Sequence, residues 1–369
     1  MRPSSLPRLI AEPTAAGPFD RSPLMFYYEV TQACDLVCQH CRASAQECAD
    51  PDELSPAESL ALVDEVARFP APPTIVLTGG DPLKRADLFA LIARARERGL
   101  RVAVTPSATP LADRPALERL KDAGVMALGI SLDGASAASH DAFRGWEGSY
   151  ARTFEMLSAA RELGLPVQVN TSLTTRNFSE LEQMAEQLDR FEVVMWSVFF
   201  LVPVGRGVDQ PRLSANEYES AFERLYRESA RRNYAIKTTE APHYRRFVLQ
   251  HGGDPQSRPA ASGRRVPLGV RDGKGIMFVG CRGEIFPAGF LPLECGRFPH
   301  DSPVEVYQSH PTFVALRDAS QLKGRCGACE YREVCGGSRA RAFAVYGDPL
   351  EEEPDCAYVP SGDEPLVMP

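Results

Sequence analysis

The segment Thr31–Cys41 reads TQACDLVCQHC and places Cys34, Cys38 and Cys41 in the spacing CxxxCxxC. A [4Fe–4S] cube is normally held by four thiolates. Three thiolates in one short loop can bind three irons and leave the fourth open to a small molecule, as reductive cofactor chemistry requires. A zinc site completed by His40 is an alternative, although adjacent ligands at His40 and Cys41 make tetrahedral geometry awkward. The spacing therefore favours the cluster.

The composition sets limits on the class of protein. The chain has 369 residues, 44% of them hydrophobic, and a net charge of −8, which disfavours nonspecific nucleic-acid binding. The first 24 residues lack an apolar signal core, and the longest apolar run, Val193–Val202, is too short to span a bilayer. Ten cysteines in CxxxCxxC and CxxC groupings predict metal sites in a reducing compartment. We therefore expect a cytoplasmic protein without nucleic-acid or membrane partners.

Residues 1–24 predict a poorly ordered arm, and strand and helix patterns alternate from residue 25 to residue 240. The predicted strands are Phe26–Thr31, Thr74–Leu77, Arg101–Thr105, Val125–Ser131, Val167–Leu173 and Val193–Leu201. This alternation is typical of an α/β fold, here a partial (β/α)6 barrel of parallel strands that is open on one side. Sites in such barrels lie at the carboxyl ends of the strands.

Polar motifs follow several of these strands at the ends where a site is expected. The candidate residues are Gly79, Gly80 and Asp81 in TGGDP, Ser107 in TPS, Ser131 and Asp133 in SLDG, Arg144 in DAFRG, and Asn170 on the fifth strand. Each also has a structural interpretation: plain turns for GGDP and SLDG, a cap for Ser107 and a surface ion pair for Arg144. Their common location at strand ends favours a shared site.

Together, CxxxCxxC with His40 before the third cysteine, the GG-acid-P turn and the SxDG strand end resemble the radical S-adenosylmethionine (radical SAM) superfamily. The resemblance implies an open iron chelated by S-adenosylmethionine, whose reductive cleavage gives a 5′-deoxyadenosyl radical that abstracts hydrogen from substrate. It assigns the GG turn, with Asp81 in place of the commoner Glu, to the methionine amino group. Ser131 and Asp133 would contact ribose or carboxylate, and His40, Ser107, Arg144 and Asn170 are further candidate cofactor contacts.

The chain from residue 275 predicts a second, cysteine-rich module that begins with a hairpin, Ile276–Val279 and Glu284–Phe286. Its four cysteines are Cys326, Cys329, Cys335 and Cys356. Four thiolates can close a second [4Fe–4S] cluster, and a structural zinc ion held by the same four thiolates is the alternative. The tail resembles the SPASM/twitch extension of radical SAM proteins, but Arg339 stands where the fuller tails continue with a CxxxC cysteine. Cys48, Cys281 and Cys295 stay unassigned.

Between the two modules, residues 241–274 predict a linker that lines the substrate chamber, with residues 251–268 flexible or forming a lid. It contains His243, Tyr244, Arg245 and Arg246. These side chains offer cations and an imidazole to a substrate carboxylate, if they face the mouth of the barrel. A solvated helix start is the alternative.

The tail sequences CGGSRARA and GDPL resemble the heme d1 and alternative heme biosynthesis group within this superfamily. The resemblance implies a tetrapyrrole substrate and an external electron donor such as a flavodoxin or ferredoxin. A precursor peptide as substrate and a non-catalytic metal-binding scaffold are the two alternatives. A scaffold has no need of an open iron or of polar strand ends.

Overall fold

The computed structural model describes residues 19–256 and 269–362; the predicted arm up to residue 18 and residues 257–268 of the predicted linker lie outside this range. The strands are β1 Met25–Glu29, β2 Thr74–Thr78, β3 Arg101–Val104, β4 Ala127–Ser131, β5 Val167–Leu173, β6 Met195–Phe200, β7 Ala235–Thr239, β8 Ile276–Val279, β9 Glu284–Phe286 and β10 Gly296–Arg297. The helices are α1 Pro56–Val66, α2 Leu88–Glu97, α3 Arg114–Asp122, α4 Ala137–Arg144, α5 Ser149–Leu163, α6 Leu181–Leu188, α7 Ala215–Ser229, α8 His243–Gln250, α9 Pro303–Ser309, α10 Pro311–Arg317, α11 Gly324–Gly327 and α12 Arg339–Tyr346.

The strands form one open sheet in the order β10-β9-β8-β1-β2-β3-β4-β5-β6-β7. Strands β1 to β7 are parallel neighbours, which confirms the predicted parallel α/β architecture and all six predicted strands. Strand β7 was not predicted, because its sequence AIKTT is short and mostly polar. None of the helices in the described ranges is long and apolar enough to cross a membrane.

The two faces of the sheet differ in chemistry. On β5, Val169 and Thr171 are fully buried against the helical layer, whereas the alternate residues Gln168, Asn170 and Ser172 are half-buried on the opposite face. A parallel sheet normally has two apolar faces, because helices cover both. The half-buried polar side chains of β5 show that this face is not packed as an apolar layer, and we call it the chamber face.

The tail is built onto the same sheet rather than beside it. Strand β8 pairs parallel with β1, and β9 returns antiparallel, which confirms the predicted hairpin. From α12, the guanidinium of Arg341 donates to the carbonyl oxygen of Glu240, just after β7, at 2.6 and 2.8 Å. The tail thus contacts the parallel strands at both ends of their series.

Candidate functional site

Cys34, Cys38 and Cys41 lie in the loop that leaves the carboxyl end of β1. They cluster with Leu36 and with the partly buried Trp146. Cys34 and Cys38 are 6% and 8% exposed, and burial raises the pKa of Cys38 to about 11. A thiol must give up its proton when it binds a metal, and the assignment of a cluster to these three cysteines stays a prediction.

The GG turn after β2 holds this loop by backbone contacts. The amide of Gly80 donates to the carbonyl oxygen of Thr31 at 2.8 Å, and the amide of Asp81 donates to that of Ala33 at 2.7 Å. A Cβ on Gly79 would come within 2.3 Å of the carbonyl oxygen of Thr31. The glycines are thus required by the cysteine loop itself, whatever further contact they make with a cofactor.

Asp81 and Ser107 bind this same part of the site from β2 and β3. The Asp81 side chain is fully buried and accepts from the Thr109 hydroxyl at 2.8 Å and from the Leu83 amide at 3.1 Å. The Ser107 hydroxyl lies 3.0 Å from the carbonyl oxygen of Gly80 and 3.6 Å from the Cys34 sulfur. The structure gives Asp81 a role in shaping the turn, and its contact with the methionine amino group stays a prediction.

Asp133 is the centre of a buried polar group beside the cysteines. Its Oδ2 accepts from Arg144 at 3.2 Å and lies 3.7 Å from Nε2 of His40, while its Oδ1 accepts from the Ser172 amide at 2.6 Å. His40 stacks on Phe143 with ring centroids 4.2 Å apart, and burial lowers its pKa to about 4. With 1% exposure, Asp133 positions its neighbours, and its predicted direct contact with a cofactor stays a prediction.

The cation of this group faces the cysteines. Arg144 is 9% exposed, and its Nε has no partner among the residues described. Burial disfavours the protonated form of Arg144, whereas Asp133 and the thiolate forms of Cys38, Cys34 and Cys41 would favour it. A buried cation with an unpartnered donor fits an anionic group at the three cysteines, such as the cluster or a carboxylate bound to it.

Ser131 and Asn170 are brought together on the chamber face as partners in the β4–β5 register. Both are half-buried, and the Asn170 side-chain oxygen accepts from Gln168 at 2.8 Å. The hydroxyl and the amide nitrogen of this pair are therefore available to a polar ligand in the chamber.

His243, Tyr244, Arg245 and Arg246 open α8, and the structure places them away from the chamber face. His243 stacks on Tyr218 of α7 at 5.1 Å, and Arg246 is ion-paired with Glu219 of α7. Arg245 donates to the carbonyl oxygens of Val334 and Val270 at 3.1 and 2.7 Å. These contacts hold the four side chains against α7 and the tail, and their predicted contact with substrate carboxylates stays a prediction.

The four tail cysteines line one cavity of about 30 Å³, together with His243, Arg246 and Arg325. Burial raises the pKa of Cys329 and Cys356 to about 11 and raises that of Cys335 further. No three His, Cys, Asp or Glu side chains in residues 19–256 and 269–362 converge as ligands of a single ion do. The four sulfurs instead stand around a shared space.

Three functional neighbours were missed from the sequence. Arg206 donates to the carbonyl oxygen of Cys38 at 2.8 Å, from 168 residues further along the chain, and no local signal indicates this. His140 accepts from the Asp133 amide at 3.0 Å. Phe143, which stacks on His40, precedes Arg144 in the DAFRG motif, so the motif itself was the available signal.

The comparisons with known proteins agree with this geometry. The radical SAM superfamily matches residues 28–188. The AdoMet-dependent heme synthase of Methanosarcina barkeri is 37% identical to this chain, over 92% of this chain and 97% of its own length. That of Nitratidesulfovibrio vulgaris is also 37% identical, over 95% of this chain and 98% of its own length. The structure of Streptococcus suis SuiB bound to S-adenosylmethionine superposes with a TM-score of 0.69 at 15% identity, over 92% of this chain and 78% of that one, which shows a shared fold.

An open parallel sheet with three cysteines after its first strand and polar groups at the next strand ends is the arrangement that the sequence motifs predicted. The chain belongs to the radical SAM superfamily, as its motifs predicted, and its relatives include members of the heme-synthesis group. Membership implies one [4Fe–4S] cluster and S-adenosylmethionine, and the buried cation and three cysteines described above fit both.

Proposed function

We propose that this radical SAM enzyme abstracts hydrogen from a side chain of a tetrapyrrole. The observation that carries the proposal is its similarity, along nearly the full length of both chains, to AdoMet-dependent heme synthases. Full-length similarity matters because the chamber is built from both barrel and tail residues. A partial match would support only the cofactor chemistry.

The chamber face offers apolar walls to a flat macrocycle. Phe199 of β6 lies 6.0 Å, between ring centroids, from Phe290 of the tail, and both are half-buried. Phe278 of β8 is the register partner of Tyr27 of β1, and the Tyr27 side chain is half-buried. Aromatic side chains from β1, β6 and the tail are suited to stack on an extended ring.

The same face supplies cations for the carboxylates of such a substrate. Arg42 directly follows the cluster loop, lies 4.3 Å above the Phe278 ring and pairs with Glu29 at 2.8 Å. Lys237 of β7 is half-buried and shares a register position with Ser197 of β6. We assign Arg42 and Lys237 the role that was predicted for Arg245 and Arg246, because their positions flank the aromatic walls.

In this proposal, different residues of the site have different roles. When bound at Cys34, Cys38 and Cys41, the cluster and S-adenosylmethionine supply the radical that abstracts hydrogen. Arg144 stabilises negative charge beside the loop. Ser131 and Asn170 orient the cofactor by hydrogen bonds from the chamber face. The buried surroundings of the loop limit access of water to the reacting atoms.

A second [4Fe–4S] cluster at Cys326, Cys329, Cys335 and Cys356 belongs to the same proposal. Its support is the shared cavity of the four sulfurs and the arginines around it. An external donor such as a flavodoxin or ferredoxin would supply electrons to the first cluster.

The test is to titrate the protein anaerobically with siroheme-type and coproporphyrin-type ligands and to measure binding from the change in the absorbance bands of the ligand. Wild-type protein should bind one class saturably, and Arg42→Gln or Lys237→Met should weaken binding about tenfold, since a charged hydrogen bond contributes about 1.5–3 kcal/mol. Arg114→Gln is the control, because Arg114 is ion-paired on the outer surface of α3 with its side chain 50% exposed. Absence of saturable porphyrin binding by the wild type would overturn the tetrapyrrole substrate and favour a precursor peptide.

A further inference from the structure

Three arginines near the tail cysteines, two of them buried and one half-buried, form no ion pair with a carboxylate. Within the described part of the chain, Arg245, Arg271 and Arg339 form no ion pair with any Asp or Glu, and we call them the arginine triad. Two arginines that line the cavity of the four cysteines are paired with carboxylates, Arg246 with Glu219 and Arg325 with Glu352. The triad therefore brings positive charge towards the tail cysteines without a directly paired carboxylate.

Each member of the triad approaches the cysteines from a different element. Arg339 of α12 is fully buried; its guanidinium donates to the carbonyl oxygens of Pro349 and Glu351, and one nitrogen lies 3.8 Å from the Cys326 sulfur. Arg245 of α8 donates to the carbonyl oxygen of Val334, the residue before Cys335.

Arg271 is the least satisfied of the three. It is 4% exposed, and two of its nitrogens, Nε and Nη1, have no hydrogen-bond partner among the described residues. Its third nitrogen makes one long contact, 3.4 Å, to the carbonyl oxygen of Leu316. The guanidinium lies against Gly336, where a Cβ would come within 2.8 Å of Nη1, and so stands directly beside Cys335.

Buried positive charge without a counterion is strongly unfavourable. A metal–sulfur group held by four thiolates carries net negative charge and would compensate the triad. When a [4Fe–4S] cluster is reduced, it takes up one electron, no bond forms or breaks, and the group gains one negative charge. Fixed cations at short range therefore stabilise the reduced form more than the oxidised form.

We propose that the arginine triad raises the reduction potential of the tail cluster and thereby makes it a redox-active centre rather than a structural one. The inference rests on the proposed tail cluster. It also gives a role to Arg339, whose guanidinium lies 3.8 Å from the Cys326 sulfur.

The experiment isolates the tail by replacing Cys34, Cys38 and Cys41 with Ala in the full chain. After anaerobic reconstitution, this protein is titrated with dithionite, and the reduced cluster is followed by electron paramagnetic resonance. Arg271→Gln and Arg339→Gln should each shift the midpoint to more negative potential. Arg271→Lys, which keeps the charge, should restore it.

Arg325→Gln is the matched control. Arg325 lines the same cavity, but its side chain is 41% exposed and pairs with Glu352 at 3.1 Å, so its charge is already compensated and screened. The midpoint of this variant should match that of the parent protein.

The outcomes separate the two proposals. A parent protein that binds no iron, or that binds zinc in its place, overturns the tail cluster and with it the role of the triad. An iron-loaded cluster whose midpoint is the same in parent, Arg271→Gln and Arg339→Gln overturns the triad alone. If one variant does not fold, the other decides, since Arg271 and Arg339 make separate contacts.

Discussion

Gly80 lies so close to Ala33 that a Cβ on the glycine would come within 2.3 Å of the Ala33 carbonyl oxygen. Gly80→Ala should therefore displace the cysteine loop, at a cost of about 1–3 kcal/mol, and remove the iron of the first site. Iron analysis after anaerobic reconstitution measures this. Gly99→Ala is the control: Gly99 has a positive φ, but its Cβ would meet no atom within 4 Å, so stability should fall without iron loss. Full iron in Gly80→Ala would contradict the prediction.

Metal content tests both cysteine groups. Two cubes correspond to about eight irons per chain, and replacing Cys34, Cys38 and Cys41 by Ala should leave about four. The same triple variant should form no 5′-deoxyadenosine from S-adenosylmethionine under a strong reductant, whereas the wild type should form it slowly without substrate. Stoichiometric zinc in the tail, or undiminished product from the variant, would argue against these assignments.

Asp133 should affect cofactor binding through the residues that it holds. Asp133→Ala leaves Arg144 without its ion-pair partner and the Ser172 amide without its acceptor, which should destabilise the fold by about 3–5 kcal/mol. Affinity for S-adenosylmethionine, measured by equilibrium dialysis, should fall while iron content stays unchanged. Asp133→Asn keeps an acceptor for the Ser172 amide, so its affinity for S-adenosylmethionine should lie between those of the wild type and Asp133→Ala. Equal affinity in all three proteins would show that the carboxylate has no positioning role.

His140 should make stability depend on pH. Burial lowers its pKa from 6.5 to about 4, and its Nδ1 accepts from the Asp133 amide, a bond that needs the neutral ring. Between pH 6.5 and pH 4, His140 is protonated in the unfolded chain but neutral in the folded protein. Its contribution to the free energy of unfolding is therefore fully present above pH 6.5 and is lost as the pH falls. From about pH 7 to about pH 5 the loss should be about 1–2 kcal/mol.

Denaturant unfolding of the wild type and of His140→Asn at each pH checks this. Asn can replace the acceptor but does not titrate, so the difference in stability between the two proteins should shrink as pH falls. Other buried histidines are common to both proteins and cancel in that difference. A difference that stays constant over the same pH range would exclude His140 as the source.

Local patterns in the sequence determined the family, the parallel α/β architecture and the strand ends that carry the site. Six strands were predictable because each is a β-rich segment that is followed by a helix signal. The cysteine loop was predictable because its three candidate ligands lie within eight residues, Cys34 to Cys41. The capping box at Ser55 and Glu58, which begins α1, is a local pattern of the same kind. Such features depend on residues that are close together in the sequence, so a short segment is enough to predict them.

Tertiary structure alone decided which side chains face which space. His243 to Arg246 contain the cations expected at a chamber mouth, yet α8 packs on α7, and Arg246 pairs with Glu219. The register of β7 with β6 places Lys237 opposite Ser197, and contacts with Glu29 and Phe278 place Arg42. The approach of Arg271 and Arg339 to the tail cysteines likewise joins elements far apart in sequence. The physical reason is that burial and charge compensation depend on contacts across the fold, and no short segment encodes them.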